Sequence, residues 1–83
     1  MNYYRKLESF CNVQWRHAEE CDTASRIIIL RNQCFGAVLF AQMNDFITYE
    51  EYKKLWEEDY LLAFDKLLQK IKLKPGDLKY LFY

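Results

Sequence analysis

The sequence predicts a small all-α protein, a three-helix bundle with helices over about 2–20, 23–43 and 48–72. Apolar residues recur at spacings of three and four along most of the chain, which is the period of an amphipathic helix. Two glycines and one proline are too few for the frequent turns of a β-sandwich or barrel. A hydrophobic fraction of 52% is enough to form the core of one domain, 1–83.

The first predicted helix, 2–20, is amphipathic. Its apolar face holds residues three or four positions apart: Tyr3, Leu7, Phe10, Cys11, Trp15 and Ala18. Charged and polar side chains occupy the opposite face, so the helix is expected to cover one side of a core. Asp22 and Thr23 interrupt the pattern, and Thr23 suits the N-cap of the next helix.

The second predicted helix, 23–43, is apolar nearly all round. Its three apolar stripes hold Ile27, Leu30, Cys34, Val38 and Ala41; Ile28, Phe35 and Leu39; and Ile29, Phe40 and Met43. Such a helix is normally buried on all sides, and 83 residues provide few other elements to bury it. We therefore expect a second copy or a partner protein to cover it. Gly36 indicates close approach of another helix, with a Trp or Phe packed over it.

Thr48 opens the third predicted helix, 48–72, with a capping box in which Thr48 and Glu51 satisfy backbone donors reciprocally. The main apolar stripe holds Tyr49, Tyr52, Trp56, Tyr60, Ala63, Phe64, Leu67 and Ile71. Leu55 and Leu62 are expected on the far edge. Pro75 and Gly76 end the helix. The last seven residues form a short aromatic turn or arm, expected to dock on the core or on a neighbour.

The reactive residues do not form a catalytic or metal-binding set. His17 and Cys21 are four positions apart but have no third, orienting residue. Cys11 and Cys34 have no ligand neighbours in the sequence, and zinc usually needs ligands in close pairs. Adjacent carboxylates on a helix diverge and are typical of a solvated face. We expect no enzyme activity, no metal and no cofactor.

Charge and cysteine content indicate a cytoplasmic protein. Twelve basic and twelve acidic side chains give a formal net charge of zero, so attraction to nucleic acid or an anionic membrane is weak. An odd number of cysteines and the lack of a signal peptide predict reduced thiols in the cytoplasm. The longest uncharged run, 32–44, is about 13 residues and too short to span a bilayer.

These features favour a non-catalytic protein that self-associates, most simply as an isologous dimer, and that binds another protein. Acidic residues gather in the first half of the third helix and lysines in the second, so two such helices laid antiparallel place acid against base. Bulky aromatic and apolar residues anchor protein interfaces. The predicted partner-binding residues are Tyr52, Tyr60, Tyr80, Phe82, Tyr83, Phe35 and Leu39.

The alternative is a small helical nucleic-acid-binding regulator. Three helices with a short loop before the third outline a helix-turn-helix. The predicted phosphate contacts come from the basic cluster 66–79: Lys66, Lys70, Lys72 and Lys74. Against this, Glu50 and Glu51 at the start of the third helix would face phosphate.

In general character the chain resembles small accessory proteins of phages and mobile elements, with no motif to carry the resemblance. It is short, rich in aromatic residues and without a catalytic set. This resemblance implies an inhibitor or adaptor, for example an anti-defence protein.

Overall fold

A computed structural model of the chain describes residues 2–71. In this range the chain forms three helices and no strand. Helix α1 spans Tyr3–Glu19, α2 spans Ala24–Met43, and α3 spans 49–69. The last is α-helical over Tyr49–Tyr52, π-helical over Lys53–Tyr60 and α-helical over Leu61–Gln69. The predicted all-α three-helix bundle is confirmed, with each boundary within about three residues of the expected one. The predicted C-terminal turn or arm lies outside the described residues.

The core lies where the three helices meet. Its buried side chains are Cys11, Ala18, Ile27, Leu30, Cys34, Val38, Ala41, Ile47, Leu55, Trp56 and Phe64. All five members of the first α2 stripe are among them, so this stripe faces the core. The second stripe is covered less completely, because Ile28 is buried whereas Phe35 and Leu39 are half-buried. The third stripe faces outward at its C-terminal end, where Phe40 and Met43 are exposed.

The expectation for Gly36 is wrong. A Cβ added at this position meets no other atom of the described chain within 4 Å, and Gly36 is exposed. No helix, Trp or Phe among the described residues packs over it, because Gly36 lies on the open side of α2. Among the described residues the glycine therefore serves no close approach, and it weakens the helix relative to alanine.

The expected position of Leu55 on the far edge of α3 is also wrong, since its side chain is fully buried. Leu55 and Phe64 are nine residues apart, which in an unbroken α-helix places them about half a turn apart. Both are nevertheless 0% exposed. The π-helical segment Lys53–Tyr60 has wider turns, and it rotates Leu55 toward the core beside Trp56. Leu62, the other residue expected on that edge, does lie outside and is 53% exposed.

A Schellman motif ends α2. The Asp45 N–H donates to the carbonyl of Gln42 and the Phe46 N–H to that of Ala41, at 3.2 and 2.8 Å. Asp45 has the left-handed φ of 60° that this motif requires. The Asn44 side chain donates to the carbonyl of Phe40 at 2.8 Å. This turn reverses the chain and brings Phe46 back over the end of α2.

The helix caps differ in quality. At α3 the Glu51 N–H donates to Thr48 Oγ1 at 3.1 Å and the Thr48 N–H to Glu51 Oε1 at 2.9 Å, so the predicted capping box is confirmed. Thr23 occupies the N-cap of α2 as expected, but its side chain makes no capping hydrogen bond within the described residues. Of these two N-caps, therefore, only Thr48 satisfies a backbone donor of its helix with its side chain.

Helix α2 is long enough and apolar enough to meet the criterion for a membrane span. The buried core helix of a soluble protein meets the same criterion, so the finding decides nothing about location. In the bundle, α2 is the central element against which both other helices pack.

Candidate protein-contact surfaces

Five large apolar side chains are exposed at one end of the bundle, and we call this surface the aromatic end: Tyr3, Phe40, Met43, Phe46 and Tyr49. Each is at least 40% exposed, and Met43 reaches 71%. The start of α1, the last turn of α2, the Schellman turn and the start of α3 contribute them. Exposed apolar residues grouped at one end of a small protein are typical of a site of interaction.

Ring contacts hold the aromatic end together. The rings of Tyr3 and Phe46 stack with centroids 4.8 Å apart, and the Phe40 ring lies 6.4 Å from that of Phe46. Beside them, the Tyr49 ring stacks on Tyr52 at 6.0 Å, and the Lys53 ammonium lies 5.6 Å from the Tyr49 centroid. Because several of these rings already pack on each other, a partner that covers them has fewer freely rotating side chains to immobilise.

The predicted partner-binding residues are not among the five of the aromatic end. Of the predicted residues, Phe35, Leu39, Tyr52 and Tyr60 are half-buried. The Phe35 ring lies 5.3 Å from the ring of buried Trp56, and the Tyr60 hydroxyl donates to the Glu8 carbonyl at 3.4 Å. Tyr80, Phe82 and Tyr83 lie outside the described residues.

The aromatic end contains residues that sequence reasoning did not select as partner-binding. The third apolar stripe of α2 already pointed to Phe40 and Met43. No local pattern marked Phe46, which follows the helix and reaches the surface through the turn at Asp45.

A groove of about 550 Å³ runs between α1 and the second half of α3. Trp15 of α1 and Ala63 and Leu67 of α3 provide its apolar lining, and exposed Leu62 also lines it. The indole N–H of Trp15 is buried without an acceptor among the described residues. Such a donor is costly in a finished interior, so the packing between α1 and α3 is imperfect here.

Charged residues border this groove in a fixed order along α3. Glu58 and Asp59 come first and Lys66 and Lys70 last, and all four are exposed. Glu19 of α1 lies on the same groove. Two of the four predicted phosphate contacts, Lys66 and Lys70, therefore share their surface with carboxylates. Lys72 and Lys74 lie outside the described residues.

Two of the three cysteines meet in the core. Cys11 of α1 and Cys34 of α2 are each 0% exposed, and their side chains share a hydrogen bond. This bond and burial raise the pKa of Cys34 well above its ordinary value, which keeps the thiol protonated at neutral pH. The sequence did not show this neighbour. The same bond lowers the pKa of Cys11, but both thiols are fully buried, so the pair forms part of the core.

His17 and Cys21 do not form a thiol–imidazole pair. The Cys21 thiol donates to the backbone carbonyl of His17 at 3.2 Å, and the His17 side chain is exposed. Over residues 2–71 no three His, Cys, Asp or Glu side chains are grouped so that they could hold a metal ion. The described chain thus offers surfaces for contact and no assembled polar centre.

Comparison of the chain with protein-family models, with curated proteins and with solved structures finds no match.

Proposed function

We propose that this chain is a non-catalytic helical protein of the cytoplasm that self-associates and binds another protein. The aromatic end is the surface for that partner. The observation that carries the proposal is the clustering of five exposed apolar side chains, Phe40 and Met43 foremost, on a bundle whose other apolar side chains already form a core. Phe, Tyr and Met are enriched at the centres of protein interfaces.

The size of the aromatic end indicates a weak contact. The bundle measures 40 × 23 × 17 Å, so its end is only 23 × 17 Å across and is small beside a standard protein interface. Binding at this end alone is therefore expected to be transient, as suits an adaptor or a regulatory inhibitor.

The alternative, a nucleic-acid-binding regulator, depends on a positive surface. Lys66 and Lys70 are exposed, but Glu58 and Asp59 precede them on the same helix and Glu19 lies across the groove. These carboxylates lower the positive potential at which phosphate would bind. We therefore favour protein contact.

The test compares capture of proteins from the native host by three immobilised full-length chains. The first is the wild type. The second is the double variant Phe40→Ser/Met43→Ser, which alters the aromatic end. The third is the control Val13→Ser, because Val13 is 49% exposed on α1 and lies away from that end. Circular dichroism checks that all three chains are equally helical.

We expect a protein retained by the wild type and the control to be lost from the double variant. The captured protein is then purified, and its affinity for the three chains is measured by calorimetry. A decrease of about tenfold or more in affinity for the double variant is expected, since two buried apolar anchors are removed. Equal affinity for all three chains, or retention of nucleic acid alone, would count against the proposal.

A further inference from the structure

The groove between α1 and α3 is an uncovered apolar surface on the long side of the bundle. Leu62, 53% exposed, lies halfway along its α3 side, next to Ala63. Trp15 lines it from α1 with its indole N–H unpaired among the described residues. An exposed leucine beside an apolar groove marks a place where further chain can pack.

Two of the charges that line the groove, Glu58 and Lys66, lie symmetrically about Leu62 with opposite sign. Glu58 lies four residues before Leu62 and Lys66 four residues after it, and both are exposed and line the groove. In a contact with two-fold symmetry, residue i of one copy meets residue j of the other and residue j meets residue i. A two-fold axis through Leu62 therefore brings Glu58 opposite Lys66 of a second copy, twice. A uniformly acidic or uniformly basic partner could pair with only one of these two charges.

The dimensions of the bundle also favour this side for self-association. The long sides of the bundle extend 40 Å, whereas its end is 23 × 17 Å, so a contact along a long side can extend further than one at the end. The zero net charge of the chain adds no overall repulsion between two copies.

We infer that the groove between α1 and α3 is the self-association surface and that its occupant is α3 of a second copy, packed antiparallel about Leu62. The inference rests on the self-association proposed above and names the surface at which it occurs. The two Leu62 side chains lie at the axis, each against the other copy's groove, with a Glu58–Lys66 pair on either side. The aromatic end stays free for the partner protein.

Charge exchange tests this arrangement. The full-length variants Glu58→Lys and Lys66→Glu are each measured by analytical ultracentrifugation from about 1 to 100 µM, as is the wild type. Each variant alone places like charges opposite each other at both pairs, so its dimer dissociation constant should rise at least about tenfold. In an equimolar mixture, a dimer that contains one copy of each variant again places a lysine opposite a glutamate at both pairs. The mixture should dimerise like the wild type.

Two controls separate this effect from net charge. Glu57→Lys changes the neighbouring exposed position on α3, which does not line the groove. Arg26→Glu makes the matching reversal at an exposed position of α2. Both should dimerise like the wild type, and circular dichroism checks the fold of every variant.

Each outcome has a separate meaning. A wild type that dimerises, two weakened variants and rescue in the mixture support the inference. A wild type that dimerises with both variants unaffected, or without rescue, overturns the groove contact and leaves self-association standing. A wild type that stays monomeric up to 100 µM overturns both this inference and the self-association part of the proposed function.

Discussion

Tyr60 shows how the bundle changes the chemistry of a single side chain. Burial, then the nearby Cys11 and Glu8, raise the pKa of Tyr60 to about 12 from an ordinary value of 10.0. Burial also raises the pKa of Tyr4 and of Tyr52. Between about pH 10 and pH 12 the unfolded chain therefore loses phenol protons that the folded chain keeps. Because the unfolded state then binds fewer protons, the free energy of unfolding falls as pH rises through this window.

Replacing Tyr60 with Phe should make that alkaline loss of stability shallower. At pH 7 the variant should lose about 0.5–1 kcal/mol, since the hydroxyl's long bond to the Glu8 carbonyl disappears. Urea denaturation at pH 7 and at several values from pH 9.5 to 11.5 measures both effects. Tyr49→Phe, at a position 55% exposed, is the matched control. An unchanged slope in the Tyr60 variant would contradict the assignment.

Among the helices, the caps and the interior of α2 decide local stability. The Thr48 side chain accepts a hydrogen bond from the Glu51 N–H, and the Glu51 side chain accepts one from the Thr48 N–H. Thr23 makes no side-chain cap within the described residues. Thr48→Ala should therefore cost about 1 kcal/mol of unfolding free energy, and Thr23→Ala clearly less. Chemical denaturation of the two variants side by side provides the comparison. Equal losses would mean that the capping box adds no stability.

At Gly36, in contrast to the caps, a substitution is expected to stabilise the helix. It is exposed in the interior of α2, and a Cβ there meets no described atom within 4 Å. Gly36→Ala should raise the free energy of unfolding by roughly 0.5–1 kcal/mol, because alanine restricts the unfolded chain and favours the helix. Thermal and urea unfolding check this. A loss of stability would show that another part of the chain, or a second copy, occupies that space.

At the scale of the whole molecule, stability and association are linked. If two copies associate only when folded, mass action stabilises the folded state as concentration rises. The midpoint of thermal unfolding should therefore increase between about 1 and 100 µM. Leu62→Ser, at the proposed axis, should remove that dependence while changing the monomer little, since the side chain is 53% exposed. A midpoint independent of concentration in the wild type would count against self-association.

The sequence could predict what depends on neighbours along the chain. Helix boundaries follow from a local period and from caps such as Thr48, so they could be placed to within about three residues. The first apolar stripe of α2, from Ile27 to Ala41, could be recognised from the sequence, but whether it faces the core could not. Which of three stripes faces inward depends on how the other two helices lie against α2. Burial of Leu55 could not be predicted, because the π-helical segment breaks the period from which it was inferred.

By itself the sequence determined that the chain is all-α with three helices, that a capping box opens the third helix, and that there are more apolar stripes than one small core uses. These are consequences of periodicity and of hydrogen bonds within a few residues. Only the tertiary structure decided that Phe46 stacks on Tyr3, that Cys11 meets Cys34, and that Trp15 and Leu62 line one groove. Each of these joins residues far apart in the chain. Their meeting depends on how whole helices pack, and no local pattern encodes that packing.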